Sequence, residues 1–126
     1  MRAVDTNVLV RLVTRDDEAQ VAAAESFVSK GAWVSHLVLV EATWVLRAAY
    51  DLEHDQIATA VEMMLNHKDL TLQDAEVVSA ALEQYRQRLS LGFSDCLVLE
   101  VARKAGHVPL GTFDKELGKL HGADRL

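Results

Sequence analysis

Apolar residues along this chain fall into two kinds of run. Long stretches carry apolar positions at helical spacing. Asp16, Asp17 and Glu18 open an Ala-rich stretch to about Lys30, and acids in a first turn complement the helix dipole. His36 to Tyr50 is a second stretch. Asp55 to His67 places Ile57, Val61, Met64 and Leu65 on one face. Asp74 to Leu89 does so with Val77, Val78, Ala81, Leu82 and Tyr85. Ser94 to Ala105 is stopped by Gly106, which predicts a C-terminal cap. Short apolar runs lie between them: Ala3-Val4, Ala32-Trp33-Val34, Leu70-Thr71-Leu72 and Val108-Pro109-Leu110. Each is too short for a helix and reads as a short buried strand.

Strands separated by helices pair in parallel through crossovers. The pattern therefore predicts an α/β fold with a small parallel sheet of four or five strands flanked by helices. Gly is scarce (6) and Pro occurs once, with no linker and no repeat, so residues 1–126 are expected to form a single domain. In such sheets ligands lie beyond the carboxyl ends of the strands.

Half of the 126 residues are apolar and a quarter are charged, which excludes a disordered or fibrous chain. One cysteine, Cys96, excludes an internal disulfide framework and a thiolate metal site. No apolar run is long enough to span a bilayer, and the early charges of Arg2 and Asp5 leave no signal-peptide core. A soluble, cytoplasmic protein with no membrane partner is expected. Thirteen basic against 19 acidic residues give a formal net charge of −6, which argues against passive coating of nucleic acid. It still permits a metal-dependent nuclease, because carboxylates hold the cations that meet phosphates.

Four acids stand out by position. Asp5 follows the first strand directly, or else caps a helix over Val8 to Val13. Glu41 is the only charge between Leu37 and Leu46, and glutamate is rarely buried without a partner. Asp95 opens an apolar helix, where a first-turn acid also serves the dipole. Asp114 follows the last strand and could instead cap Lys115 to Leu120. Glu100, roughly 140° around the helix from Asp95, is set aside. Clustered carboxylates repel unless cations lie between them, and hard oxygen ligands suit Mg²⁺, Mn²⁺ or Ca²⁺.

With Val4-Asp5-Thr6-Asn7-Val8-Leu9-Val10, Glu41, Phe93-Ser94-Asp95-Cys96 and Thr112-Phe113-Asp114 in this order, the whole chain resembles PIN-domain nucleases. Specifically, it resembles the VapC-type toxins of bacterial toxin–antitoxin pairs. Cys96 stands where that family often has Ala. The resemblance implies an Mg²⁺- or Mn²⁺-dependent endoribonuclease. In it Asp5, Glu41, Asp95 and Asp114 are the catalytic and metal-binding residues, with Asp5 and Asp95 as the foremost ligands. Thr6, Asn7 and Thr112 would orient carboxylates or a scissile phosphate, or simply cap turns. It also implies an RNA substrate, a cognate antitoxin and a homodimer.

Other readings remain open. A different Mg-dependent phosphoryl-transfer enzyme would also place an acid after the first strand. A haloacid-dehalogenase-like phosphatase needs Asp two residues after Asp5, where this chain has Asn7. A non-catalytic α/β binding module would use the acids only as caps. The five histidines have no metal-ligand spacing. Arg11 and Arg15 could share a helix face and meet phosphate, and Arg47 could pair with an acid. Trp33, Trp44, Phe27 and Phe93 are expected in the core rather than as base-stacking platforms.

Overall fold

The computed structural model describes residues 1–126, in two compact units, Met1–Ala75 and Glu76–Leu126. It holds six α-helices and five strands, all paired in parallel, which is the α/β class expected. The strands divide into one sheet of three and one of two.

The first unit runs β1 (Arg2–Ala3), α1 (Thr6–Thr14), α2 (Glu18–Val28), β2 (Ala32–Val34), α3 (His36–Tyr50), α4 (His54–Asn66) and β3 (Leu70–Leu72). Its sheet has the order β1-β2-β3, with Arg2 opposite Ala32 and Ala32 opposite Leu70. Two helices connect each strand to the next, as a parallel crossover requires. The alternating burial of β2 and β3 puts Ala32, Val34, Leu70 and Leu72 inside. Leu9, Val10, Val28, Leu39, Leu46, Val61 and Met64 are the helical side of that core. Each is at most 1% exposed, so each gives up almost all its apolar surface to the fold.

Side-chain caps fix the helix ends. Ser35 accepts from the Val38 N–H (3.1 Å) and Asp17 from the Gln20 N–H (3.0 Å). At the carboxyl end of the sheet the His36 N–H donates to Gln73 Oε1 (2.9 Å), and the His36 ring bonds the Gln73 carbonyl (2.8 Å). This ties the start of α3 to the residue that follows β3.

A polar network fastens α1, α2 and α3. Arg11 donates to the Tyr50 hydroxyl (2.9 Å), and that hydroxyl donates to Asp16 Oδ2 (3.0 Å). Thr14 donates to Asp16 Oδ1 (2.9 Å), and Arg11 also bonds Gln20. These bonds hold the Asp16 carboxyl below the usual aspartate range, the Thr14 bond foremost. Arg15 leaves the helix in a left-handed conformation (φ 54°) and pairs with Glu25. The two arginines are thus occupied by protein partners.

The second unit contains α5 from Glu76 onward (the helix is Ala75–Gln87), α6 (Phe93–Ala105), β4 (Leu110–Thr112), a 3₁₀ turn (Leu117–Lys119) and β5 (Ala123–Arg125). Val78, Ala81, Cys96, Leu97 and Leu99 are buried, and Tyr85 meets Phe93 edge-on at 5.9 Å. Gly106 ends α6 at φ 82°, the cap that its position predicts. The expected strand over Val108-Pro109-Leu110 begins only at Leu110, since Pro109 has no N–H to offer a ladder. Strand β5 is polar and short, so no apolar run announces it. Gly118 lets β5 approach: a Cβ there would lie 2.7 Å from that of Arg125.

Candidate active site

In the first unit, β1 leads through Val4 into Asp5, whose extended backbone (φ −92°, ψ 170°) begins α1. Asp5 Oδ1 accepts from the Thr6 N–H at 2.7 Å. Thr6 is buried, and its Oγ1 donates to Glu41 Oε1 at 2.6 Å. One threonine therefore holds two carboxylates, through its amide and its hydroxyl. The short Oγ1–Oε1 distance is that of a charge-assisted bond. Asn7 is exposed on the first turn of α1, and no side-chain hydrogen bond from it reaches the protein.

Glu41 is exposed on the second turn of α3, despite its apolar flanks. The apolar residues of that face are exposed with it. Leu37 is 84% exposed and Trp44 is 68% exposed. This corrects the expectation that Trp44 is core. Trp33, at 38%, is also partly open, and Phe27 lies under the Arg2 guanidinium at 3.9 Å. Phe93 alone of the four aromatics is fully in the core. Arg47 is exposed and makes no hydrogen bond or ion pair, so the acid partner that its position suggested is not there.

In the second unit, Asp95 is on the first turn of α6 and its Oδ2 accepts from the Gly92 N–H at 3.3 Å. Asp114 follows β4. Its Oδ1 accepts from the Leu117 N–H (2.8 Å), and its own N–H donates to Thr112 Oγ1 (3.0 Å). Thr112 thus orients the backbone of Asp114 rather than its carboxylate. Phe113, between them, is 82% exposed.

The four acids share one pattern. Each bonds the protein through one carboxylate oxygen, and each leaves the other without a protein donor. None has a Lys, Arg or His partner. Asp5, Asp95 and Asp114 also fill the capping roles that their positions allow, so capping and chemistry are compatible in them.

Glu100 behaves differently. It is buried, and Arg103 one turn on pairs with it at 3.3 Å. Cys96 lies nearby in sequence, fully buried. Burial first, then the negative charges of Asp95 and Glu100, push its thiol up to about 12. A thiol held neutral in this way is not a nucleophile at neutral pH.

No three His, Cys, Asp or Glu side chains stand together as a metal cage. A Mg-type cation needs only one or two carboxylates, with water and substrate oxygens completing its shell. The free oxygens of Asp5 and Glu41, both on Thr6, suit that chemistry. Those of Asp95 and Asp114 supply the same hard donors. The structure thus joins Asp5, Thr6 and Glu41 in one unit, and Thr112 with Asp114 in the other.

No helix is long and apolar enough to cross a membrane. The PIN domain family model matches residues 2–122 and so takes in all four acids. Neither a characterised protein nor a solved structure shows significant similarity to the chain.

Proposed function

From the chain's membership of the PIN domain family, whose members are generally nucleases, we propose that it is a Mg²⁺- or Mn²⁺-dependent endoribonuclease acting as the toxin of a toxin–antitoxin pair. The observation that carries this reading is the Thr6 link: one buried threonine holds Asp5 through its amide and Glu41 through its hydroxyl, and one oxygen of each carboxylate stays without a protein donor. Asp95 and Asp114 likewise keep one oxygen open.

In this reading Asp5, Glu41, Asp95 and Asp114 are the residues that would hold one or two divalent ions. When bound, such an ion supplies Lewis acidity and a lowered water pKa for hydrolysis of a phosphodiester. The chain's own part is positional. Thr6 fixes the rotamer of Glu41 and the α1 N-terminus beside Asp5. Thr112 and the Leu117 amide fix Asp114. Gly92 fixes Asp95. Rigid ligands lower the reorganisation needed at the moment of reaction. The partners of such a protein are RNA, a cognate antitoxin and a second copy of itself, in the cytoplasm, with residues 1–126 acting as one nuclease domain.

The test is cleavage of a mixed RNA pool by purified, partner-free protein in Mg²⁺, Mn²⁺ and EDTA, beside Asp95→Asn. Cleavage that needs metal and disappears in the variant is the expected result. Capping by Asp5, Asp95 and Asp114 favours a second reading, a non-catalytic module. Folded wild type that neither cuts RNA nor binds Mn²⁺ by calorimetry would establish that reading instead.

A further inference from the structure

We propose that Trp44 is a stacking platform for an unpaired base of the nucleic acid bound at Glu41, with Arg47 receiving an adjacent phosphate; this rests on the nuclease reading above. Residues 41, 44 and 47 follow one another at three-residue steps on α3. Such residues are surface neighbours, about 5–6 Å apart at Cβ. They set a carboxylate, an indole and a guanidinium in a row. The indole is 68% exposed, an unusual placement for the largest apolar side chain. Arg47 is exposed and unpaired, in contrast with Arg11, Arg15 and Arg103, which bond acids of the protein.

The three groups match the parts of a single strand. A metal-bridged phosphate belongs at the carboxylate, a base face on the indole and a further phosphate at the guanidinium. Base–aromatic stacking tolerates any base, because every base has a π-face, and Arg contributes charge beside it. In a chain of net charge −6, an unpaired cation next to an exposed ring is where a polyanion gains rather than loses energy. A second protein copy over the same face would desolvate the open oxygen of Glu41 and the unpaired Arg47 guanidinium, which is costly.

Two tryptophans make the test direct. In Trp33→Phe the only indole is Trp44, and in Trp44→Phe it is Trp33. Each is made in the Asp95→Asn background and titrated with an unstructured oligouridylate decamer in Mg²⁺, so that the metal bridge at Glu41 can form while no cleavage occurs. The expected result is quenching in Trp33→Phe and none in Trp44→Phe. Trp44→Ala should raise KM for single-stranded RNA cleavage by roughly 5- to 100-fold at nearly constant kcat, with Trp44→Phe between. Arg47→Gln should flatten the salt dependence of oligouridylate binding by about one phosphate contact. Quenching without cleavage by wild type would uphold the platform and sink the nuclease reading. Metal-dependent cleavage with no quenching and no change in Trp44→Ala would overturn the platform alone. A Trp44 emission that shifts to the blue with protein concentration, and ignores RNA, would place the indole against a second copy and overturn it as well.

Discussion

The Thr6 hydroxyl and the Glu41 carboxylate, 35 residues apart, meet at 2.6 Å and join the start of α1 to the second turn of α3. Thr6 is buried and Glu41 is exposed, so the bond ties a solvated acid to a buried anchor. Removing the hydroxyl should free the carboxylate without emptying the core. Thr6→Val is expected to weaken Mn²⁺ binding by about 10- to 100-fold, in line with loss of an orienting partner. It should cost roughly 1–2 kcal/mol of stability. Thr6→Ser should restore both. Calorimetric Mn²⁺ titration beside thermal melting checks this, and unchanged affinity in folded Thr6→Val would remove Thr6 from the site.

The Asp16 network gives a pH dependence of known sign. Its carboxyl is held below the ordinary value of 3.8 by the bonds from Thr14 and Tyr50. The folded state therefore prefers the ionised form. That stability is present above pH 3.8 and is lost as pH falls through the lower folded value. Asp16→Asn should be the less stable protein at pH 7, with the gap closing toward pH 3. Urea denaturation across that range measures it, and a gap independent of pH would show that the charge contributes nothing.

Cys96 is fully buried and its thiol is pushed up to about 12. Labelling by a thiol-reactive chromogen at pH 7 should therefore proceed only through unfolding. Its rate should rise with urea in step with the loss of structure. Because an unfolded thiol ionises near 9.0, the preference for the neutral form also makes stability fall as pH rises from 9.0 toward 12. Labelling as fast as a free thiol in native protein would contradict this burial.

Glu100 and Arg103 form the half-buried ion pair of α6, and Arg103 also donates to the His121 carbonyl at 2.6 Å. Arg103→Met strands a buried carboxylate and is expected to cost about 2–3 kcal/mol. The double variant Glu100→Gln, Arg103→Met should recover most of that loss. A double variant no better than the single would mean that the His121 contact, not the charge, is what matters.

Helix positions were legible in the chain because period and caps are local properties. All five apolar helical stretches are present, shifted by a residue or two at their ends, as for Phe93 in place of Ser94. Strand pairing was not legible. Runs of two or three residues do not encode their neighbours, so the division into β1-β2-β3 and β4-β5 and the polar strand β5 had no signature. The exposure of Trp44 had an indirect one. An indole three residues from Glu41 shares its face, and a face that carries an unpaired carboxylate turns to water.

What the sequence determined by itself is chemical: which residues are hard oxygen donors, where they stand relative to strand ends, and the family to which their order belongs. These follow from residue type and spacing, which need no tertiary contact. What the tertiary structure decided is partnership. It bonded Glu41 to Thr6, occupied Arg11 and Arg15 with Asp16 and Glu25, buried Glu100 against Arg103 and left Arg47 free. Hydrogen bonds and burial depend on distances of a few ångströms between residues far apart in the chain, and packing alone sets those distances.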